Sequence, residues 1–483
     1  MGMAGNSLKG KAVNGMFWTS MEKFGSQFIQ LVIGIAIARV LSPSDYGVIG
    51  MTMIFMALAN TFMDSGFGSA IIRKKDRTAE DYATCFYFNI VVSVILYILF
   101  FACSPYIARF YHAPILTPVC RVLGLCFIVN AMCMVQSTKL TAELKFKQLS
   151  IITVSTGVLS GVFGLILAYT GFGVWALVFQ SLFSCILRFI LVEYYTRWRP
   201  LLLFSMKSFN YLFSFGSKFL CSSIINIIYN NLYTLVIGRV YAPLEVGYYN
   251  RALHFAYMPS QSILDTVMKV VYPVMSEVQD DQERLKRTYQ KFLRIPLFIL
   301  YPILAGMIAL AHPFIYVVLG EKWLPCVPYL QILALGAMFS PLTHINLNIL
   351  YVKGRTDLVL KLEIVKKTIA FAILFSMIKF GIVWLIIGKA FYELVAYSFN
   401  CYYTGKLINF GFWKQMYYNI PIIFKSSIMG IACYLTTILV EPAWLKVLLG
   451  GIVGLFVYGT LVIVTKDESL KDIIEILKMK KGR

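Results

Sequence analysis

Long apolar runs separated by short polar breaks make up nearly the whole chain. Runs of about 20 apolar residues, each closed by charges or a Pro/Gly turn, lie near 14–38, 46–72, 84–108, 118–138, 150–170, 173–195, 212–238 and 246–270. Six more follow near 292–319, 327–352, 361–380, 382–404, 418–440 and 443–465. Together they predict an all-α polytopic membrane protein of about fourteen transmembrane helices. The runs are continuously apolar and do not alternate over about ten residues, which favours helices over a barrel. Ser276 to Lys291 is the longest polar stretch, enough for a loop with a turn or two of amphipathic helix, so no separate soluble domain is expected. The N-terminus has no short apolar core followed by a small-residue cleavage site, and its first run is expected to remain a helix. From Lys466 onward apolar residues recur at helical spacing, which fits either a helix lying on the membrane surface or a solvated tail.

Composition agrees: 59% of residues are hydrophobic, 14% are charged, and the mean hydropathy is +0.73, values that exclude a soluble globular domain. The net charge of +21 would suit a nucleic-acid partner, but its distribution has a simpler cause. Basic residues crowd alternate loops, as in Arg73 to Arg77, Lys139 to Lys147, Arg284 to Arg294 and Lys466 to Arg483. The opposite loops and their flanks hold only Arg39, Arg109, Arg239, Lys322, Lys379 and Lys446. The positive-inside rule then puts both termini in the cytoplasm and makes the number of spans even. No nucleic acid is needed, although the juxtamembrane cations also suit anionic membrane lipids.

A repeat divides the chain. Ala38-Arg-Val-Leu-Ser-Pro-Ser-Asp-Tyr-Gly47 returns 200 residues later as Gly238-Arg-Val-Tyr-Ala-Pro-Leu-Glu-Val-Gly247. Arg39, Pro43, Asp45 and Gly47 thereby stand in register with Arg239, Pro243, Glu245 and Gly247. Six spans lie between the copies, so they share one orientation and are related by an axis along the membrane normal. The expected organisation is a first repeat over 1–200, a second over 201–410, and two additional helices with an amphipathic cytoplasmic tail over 411–483. In such a duplicated bundle a path runs between the repeats through a central polar cavity.

Polar residues inside spans mark candidates for that path. Lys218, Ser222, Asn226 and Asn230 recur every four residues along one face of the seventh span. Displaced by the repeat, that face becomes Trp18, Glu22, Ser26 and Gln30 in the first span, with Lys23 and Gln27 beside it. The eighth span adds Arg251, His254, Gln261, Asp265 and Lys269. Ordinary helix packing explains single Ser, Asn and Gln residues at about 0.6 kcal/mol each. It explains an ammonium at mid-membrane less well, since that costs at least about 2.5 kcal/mol unless it meets water or a partner. Glu22 and Lys23 also suit mutual pairing, and Arg251 suits snorkelling to the interface. Asp64 begins Asp-Ser-Gly-Phe-Gly-Ser-Ala, where Gly66 and Gly68 permit a bend or close packing, so a structural role competes there with a functional one. Glu363, Lys366, Lys367, Lys389 and Glu393 read equally as local ion pairs. The ten cysteines occur singly, and only Cys103, Cys120 and Cys326 lie toward the side where a disulfide would form. The four histidines show no metal-ligand spacing and no phosphate-loop motif occurs, so neither metal nor cofactor is expected.

The sequence Asp64-Ser-Gly-Phe-Gly-Ser-Ala-Ile-Ile-Arg-Lys-Lys, the Ala38–Gly47 loop and Gly247-Tyr-Tyr-Asn-Arg-Ala252 resemble bacterial polysaccharide exporters of the Wzx type, in the multidrug/oligosaccharidyl-lipid/polysaccharide superfamily. The resemblance is dense over 14–275 and rests on span pattern beyond. It implies an inner-membrane flippase that carries undecaprenyl-diphosphate-linked oligosaccharide for surface polysaccharide by alternating access. Its implied partners are that lipid-linked substrate, membrane lipids, and a glycan polymerase with its chain-length machinery. Lys23, Gln27, Gln30, Lys218, Ser222, Asn226, Asn230, Arg251 and Lys269 would then serve the substrate path, and Glu22, Asp64 or Asp265 a coupling ion. Two alternatives belong to the same superfamily: a lipid II flippase, and a multidrug extruder whose cationic substrates would call for more acids than bases. A membrane glycan polymerase or ligase would need longer outer loops than these, and an enzyme is not expected.

Overall fold

The structure, a computed structural model, describes residues 2–64, 66–74 and 76–470, without the side chains of 2–17, 19–20, 215, 218–219, 221–222 and 265–266. Among the described residues there is no strand. Helices run α1 Gly2–Val40, α2 Pro43–Asp64, α3 Phe67–Arg73, α4 Ala79–Phe110, α5 Leu116–Ala142, α6 Phe146–Tyr169, α7 Val174–Thr196 and α8 Met206–Val240. They continue as α9 Pro243–Glu277, α10 Gln282–Ala309, α11 Ala311–Leu319, α12 Val327–Ala337, α13 Ser340–Val352, α14 Thr356–Met377, α15 Ile382–Ile408, α16 Phe412–Leu439 and α17 Ala443–Val464.

Each apolar run falls on one helix or on two in succession. Eleven segments among the described residues are long and apolar enough to cross a membrane, which makes this a multi-pass membrane protein. The other three expected spans coincide with α8, α9 and α14, which stand outside that group of described segments. The second expected span is broken. Gly66 adopts a left-handed conformation (φ 70°) that ends α2 and starts α3, a geometry that glycine reaches without a Cβ clash.

Helix α4 shows how the sequence sorts itself. Asn89, Ser93 and Ser104 are buried, whereas Val91, Ile95, Ile98 and Leu99 are exposed. The polar side therefore faces protein and the apolar side faces outward, the arrangement a lipid solvent demands.

The chain forms two compact units, Met1–Gly247 and Tyr248–Arg483. In the first, α4 packs on α5, α1 on α6, and α7 on both α5 and α6. The apolar seams include Phe67, Ile71, Cys85 and Val135 in one place and Ile37, Leu41, Ala176 and Leu177 in another. Helix α8 packs on α2, α3 and α4, so compactness extends past the start of the second sequence repeat.

Both copies of the repeated loop lie in the first unit, and each residue of the signature has a local task. Arg39 and Arg239 occupy the last turns of α1 and α8, where a cation complements the helix dipole. Pro43 and Pro243 open α2 and α9, positions that need no N–H. Ser42 and Asp45 form a reciprocal cap: the Ser42 N–H donates to Asp45 Oδ2 at 2.9 Å and the Asp45 N–H to Ser42 Oγ at 3.2 Å. Ala242 replaces that serine in the second copy, which leaves the box without its hydroxyl. Glu245 thus keeps the position of Asp45 but not its hydroxyl partner. Half-buried in the first turn of α9, Glu245 donates its N–H to the Ala242 carbonyl at 3.0 Å and brings its carboxylate to the positive end of the helix dipole. Ser42→Ala is expected to lower stability by about 0.5–2 kcal/mol, read as a lower thermal midpoint of the purified chain; Ala242→Ser is expected to raise it.

The basic loop after α3 is also built into the fold. Arg77 donates to the carbonyls of Ile71, Ile72, Lys74 and Ala142 at 2.7–3.4 Å, satisfying the C-terminal ends of α3 and α5. Lys74 holds the buried Asp81 at 2.7 Å, and Thr78 caps α4 against the same carboxylate. Lys75 lies outside the described residues.

In the second unit α10 packs on α16, α16 on α17, and α15 on α12, α13 and α14. Its core runs through Val271, Leu285, Tyr289, Leu297, Ile345, Tyr397 and Ile422. Inside it Asn346 and Gln415 exchange amide hydrogen bonds at 2.9 and 3.0 Å, and Tyr397 donates to the same Gln415 oxygen. Just past α17 an ionic clasp closes: Arg294 of α10 reaches Asp467 at 3.0 Å and Glu468 at 2.9 Å, and Lys425 of α16 holds the other Asp467 oxygen. Burial opposes ionisation of Asp467, but the Lys425, Ser469 and Arg294 contacts outweigh it and hold the carboxyl below its ordinary range. The start of the expected surface tail is thus anchored, and residues 471–483 lie outside the described residues.

Candidate functional site

A cavity of about 600 Å³ opens within the first unit, walled by α2, α3, α5, α7 and α8. That volume lies in the range of pockets that enclose small ligands. The wall is polar for a membrane-embedded bundle. Asn60 and Asp64 come from α2, Ser69 from α3, Asn130, Ser137, Thr138 and Thr141 from α5, Arg188 from α7 and Ser223 from α8.

Local helix geometry decides what these groups offer. Thr61, Ser137, Thr138 and Thr141 each donate to the carbonyl four residues earlier, at 2.9–3.0 Å. Their protons are spent on the helix, so the oxygens turn lone pairs to the cavity and accept from hydroxyl or amide donors. The amides of Asn60 and Asn130 add both donors and acceptors. Asp64 accepts from the Gly68 backbone and so braces the α2–α3 break, a structural task it combines with a place on the wall. A side chain at Gly68 would meet Thr138 Oγ1 at 3.2 Å and Asp64 Oδ1 at 3.3 Å; glycine there lets α3 approach α5 closely.

Arg188 supplies the cation. It is exposed to the cavity and, among the described residues, makes no hydrogen bond and no ion pair. It stands eight residues before the end of α7, roughly 12 Å inside the helix at 1.5 Å per residue.

Of the residues expected from the sequence, Asp64 lies on this wall. Lys23, Gln27 and Gln30 sit on α1, half-buried, half-buried and exposed, and are not among its lining. Glu22 accepts from Thr153 at 2.8 Å and Ser150 at 3.5 Å, tying α1 to α6. Asn226 and Asn230 share an exposed face of α8, while the side chains of Lys218 and Ser222 lie outside the described residues, with Ser223 beside them lining the cavity. In the second unit Arg251 lays its guanidinium 5.8 Å from the Trp323 ring centroid, Lys269 is exposed, and the side chain of Asp265 is outside the described residues. Lys366 pairs with Glu363 at 2.6 Å, and Glu393 accepts from Tyr257 at 3.1 Å. Cys103, Cys120 and Cys326 are free thiols.

The repeat signature stands apart from this wall. Arg39, Pro43, Asp45 and Gly47 of the first copy, and Arg239, Pro243, Glu245 and Gly247 of the second, are absent from the lining. The reason is positional: they end α1 and α8 and begin α2 and α9, whereas the α2 residues on the wall, Asn60 to Asp64, close that helix at its other end. Asp45 and Glu245 are therefore helix-start acids here and not cavity acids.

Arg188, Asn130 and the α5 hydroxyls are not evident from the sequence as a site, because Ser and Thr at helical spacing on α5 read as packing residues and Arg188 stands alone on α7. The signal was present: Arg188 is a lone cation within a predicted span.

A profile of the family described as "Polysaccharide biosynthesis protein" matches residues 36–328, more than half of the chain and all of this cavity. The chain belongs to this family. It is 27% identical to the lipopolysaccharide biosynthesis protein WzxC of Escherichia coli (strain K12) over 74% of this chain and 74% of that one. With the succinoglycan biosynthesis transport protein ExoT of Rhizobium meliloti (strain 1021) the identity is 23% over 96% and 95%. The fold is that of a solved lipid II flippase, MurJ in an inward closed conformation, with a TM-score of 0.74 at 16% identity over 94% of this chain and 99% of that one. The Wzx-type resemblance in the sequence is thus matched by relatives and by fold.

Proposed function

We propose that this polysaccharide biosynthesis family member is a flippase. It carries oligosaccharide repeat units linked to undecaprenyl diphosphate across the inner membrane for a surface polysaccharide. The observation that carries the reading is the family match, which spans the polar cavity of a multi-pass helical protein. The names of WzxC and ExoT, one for lipopolysaccharide and one for transport in succinoglycan biosynthesis, support it. So does the chemistry of the cavity, where hydrogen-bond acceptors suit sugar hydroxyls and a guanidinium suits a phosphate.

In this reading the fourteen helices form two repeats, 1–200 and 201–410, followed by a two-helix extension over 411–483, with both termini cytoplasmic. The repeats alternate access to a passage between them. Arg251, Lys269, Lys218 and the Asn226/Asn230 face are its further candidates, and Glu22, Asp64 or Asp265 would exchange a coupling ion. The protein moves its substrate without chemically changing it, and a glycan polymerase takes over on the far side.

Deleting the gene is expected to make lipid-linked repeat units accumulate, as read by mass spectrometry of extracted lipids. The intact gene clears them, and Arg251→Ala or Lys218→Ala clears them more slowly. Unchanged lipid-linked glycans together with altered drug sensitivity would favour a multidrug extruder and end the flippase reading.

A further inference from the structure

We infer that the cavity of the first unit is itself a headgroup site, in which Arg188 anchors a phosphate and the α2 and α5 walls hold the attached sugar. This rests on the flippase reading and adds a seat inside one unit to the passage between the repeats.

Three observations converge. First, a guanidinium inside an apolar span costs at least about 2.5 kcal/mol unless water or a partner meets it. Arg188 has no acid partner among the described residues and opens on the cavity, about 12 Å from the helix end. Its planar fork presents donors that match two phosphate oxygens at once. Second, among the described residues the wall combines a single cation with an acid and several hydrogen-bond acceptors. Arg188 belongs to α7, whereas Asp64 and Asn60 belong to α2 and the acceptor hydroxyls Ser137, Thr138 and Thr141 to α5. A ligand that is anionic at one end and rich in hydroxyls at the other fits such a wall: the carboxylate of Asp64 would repel a phosphate but accept sugar hydroxyls. Third, the space suffices. A cavity of about 600 Å³ holds a diphosphate with a short glycan and leaves the prenyl chain outside.

The test uses the purified full chain in lipid nanodiscs with three probes: inorganic pyrophosphate, farnesyl diphosphate, and farnesyl diphosphate carrying a disaccharide. Wild type is expected to bind the glycosylated probe at least tenfold more tightly than farnesyl diphosphate. Farnesyl diphosphate in turn should bind more tightly than pyrophosphate. Arg188→Gln is expected to weaken all three at least tenfold, and Arg188→Lys to recover part of the loss. Asn130→Leu should weaken the glycosylated probe alone. A cavity-filling Ser137→Phe should also weaken the glycosylated probe, which keeps the site testable if the Arg188 variant fails to fold. Equal binding of wild type and a folded Arg188→Gln overturns the anchor. Equal affinity for pyrophosphate and farnesyl diphosphate overturns a lipid headgroup in favour of free phosphate. The flippase reading fails separately, by the absence of accumulated lipid-linked units on deletion. If those units accumulate and Arg188→Gln clears them at the wild-type rate, transport stands and the anchor falls.

Discussion

Asp467→Asn is expected to destabilise the second unit by about 3–5 kcal/mol, more than any other single change proposed for this protein. Asp467 is fully buried, and it answers two cations that are themselves nearly buried: Arg294 at 10% and Lys425 at 7% side-chain exposure. Removing the carboxylate strands Lys425 and leaves Arg294 only Glu468, whose side chain is 76% exposed and so screened by solvent. Arg294 also stacks over Tyr418 with 5.3 Å to the ring centroid, so the guanidinium is not free to swing into water. The triple change Arg294→Met, Lys425→Met, Asp467→Leu should cost far less than the single one, because it removes charge and partner together. The pH response follows from the sign of the shift. The Asp467 carboxyl titrates below its unfolded value. Its stabilisation is therefore complete above the ordinary carboxylate range and is lost as pH falls through the depressed native value. Thermal unfolding of the purified chain at neutral pH, wild type against the single and triple variants, checks this. An unchanged midpoint for Asp467→Asn would mean that the clasp contributes nothing.

Gly47→Ala and Gly247→Ala are the second pair with a large expected effect. A Cβ at Gly47 would run into the carbonyl of Pro243, and a Cβ at Gly247 into the carbonyl of Pro43. The contact is reciprocal, glycine of one signature against proline of the other, and the obstacle in both directions is backbone and cannot rotate away. Overpacking of this kind costs about 1–3 kcal/mol when neighbours can yield, and here the first turns of α2 and α9 would have to separate. Both substitutions break one shared contact, so the double variant should cost about as much as either single one. A thermal double-variant cycle decides. Additive losses, or none, would show that the two signatures do not meet in this way.

Much of this fold can be read along the chain, because the membrane imposes a strong length rule on apolar runs. Every expected span fell on a helix or a broken pair. The repeated signature was legible as a repeat, and the structure supplies its reason: Arg39 at a helix end, Pro43 at a helix start, Asp45 as a cap partner, and Gly47 at a backbone contact. What the register of Asp45 with Glu245 does not convey is that the two acids work differently, since the hydroxyl that completes the first cap is missing at Ala242. The Gly66 break was anticipated as a bend. Asp467 was not legible, since a charged residue in a polar tail looks solvated until Arg294 and Lys425, far away in sequence, close on it. The cavity was hidden for a similar reason. Spacing finds polar groups that share one helix face, and this wall takes Asp64, Asn130, Arg188 and Ser223 from four different helices. Hydroxyls such as Thr138, already bonded to their own helix, look like packing residues in a sequence and become acceptors only once a void lies beside them.

The central claim is best tested by reconstituting the purified full chain in sealed liposomes with a fluorescent polyprenyl-diphosphate oligosaccharide in both leaflets. A membrane-impermeant reagent that destroys the sugar label then reports how much substrate reaches the outer leaflet. The account predicts that about half of the label is protected in protein-free vesicles, and that nearly all of it becomes accessible with wild-type protein while slowing with Arg188→Gln. Protection that stays at the protein-free level with folded wild-type chain present, across imposed ion gradients of either direction, would contradict it.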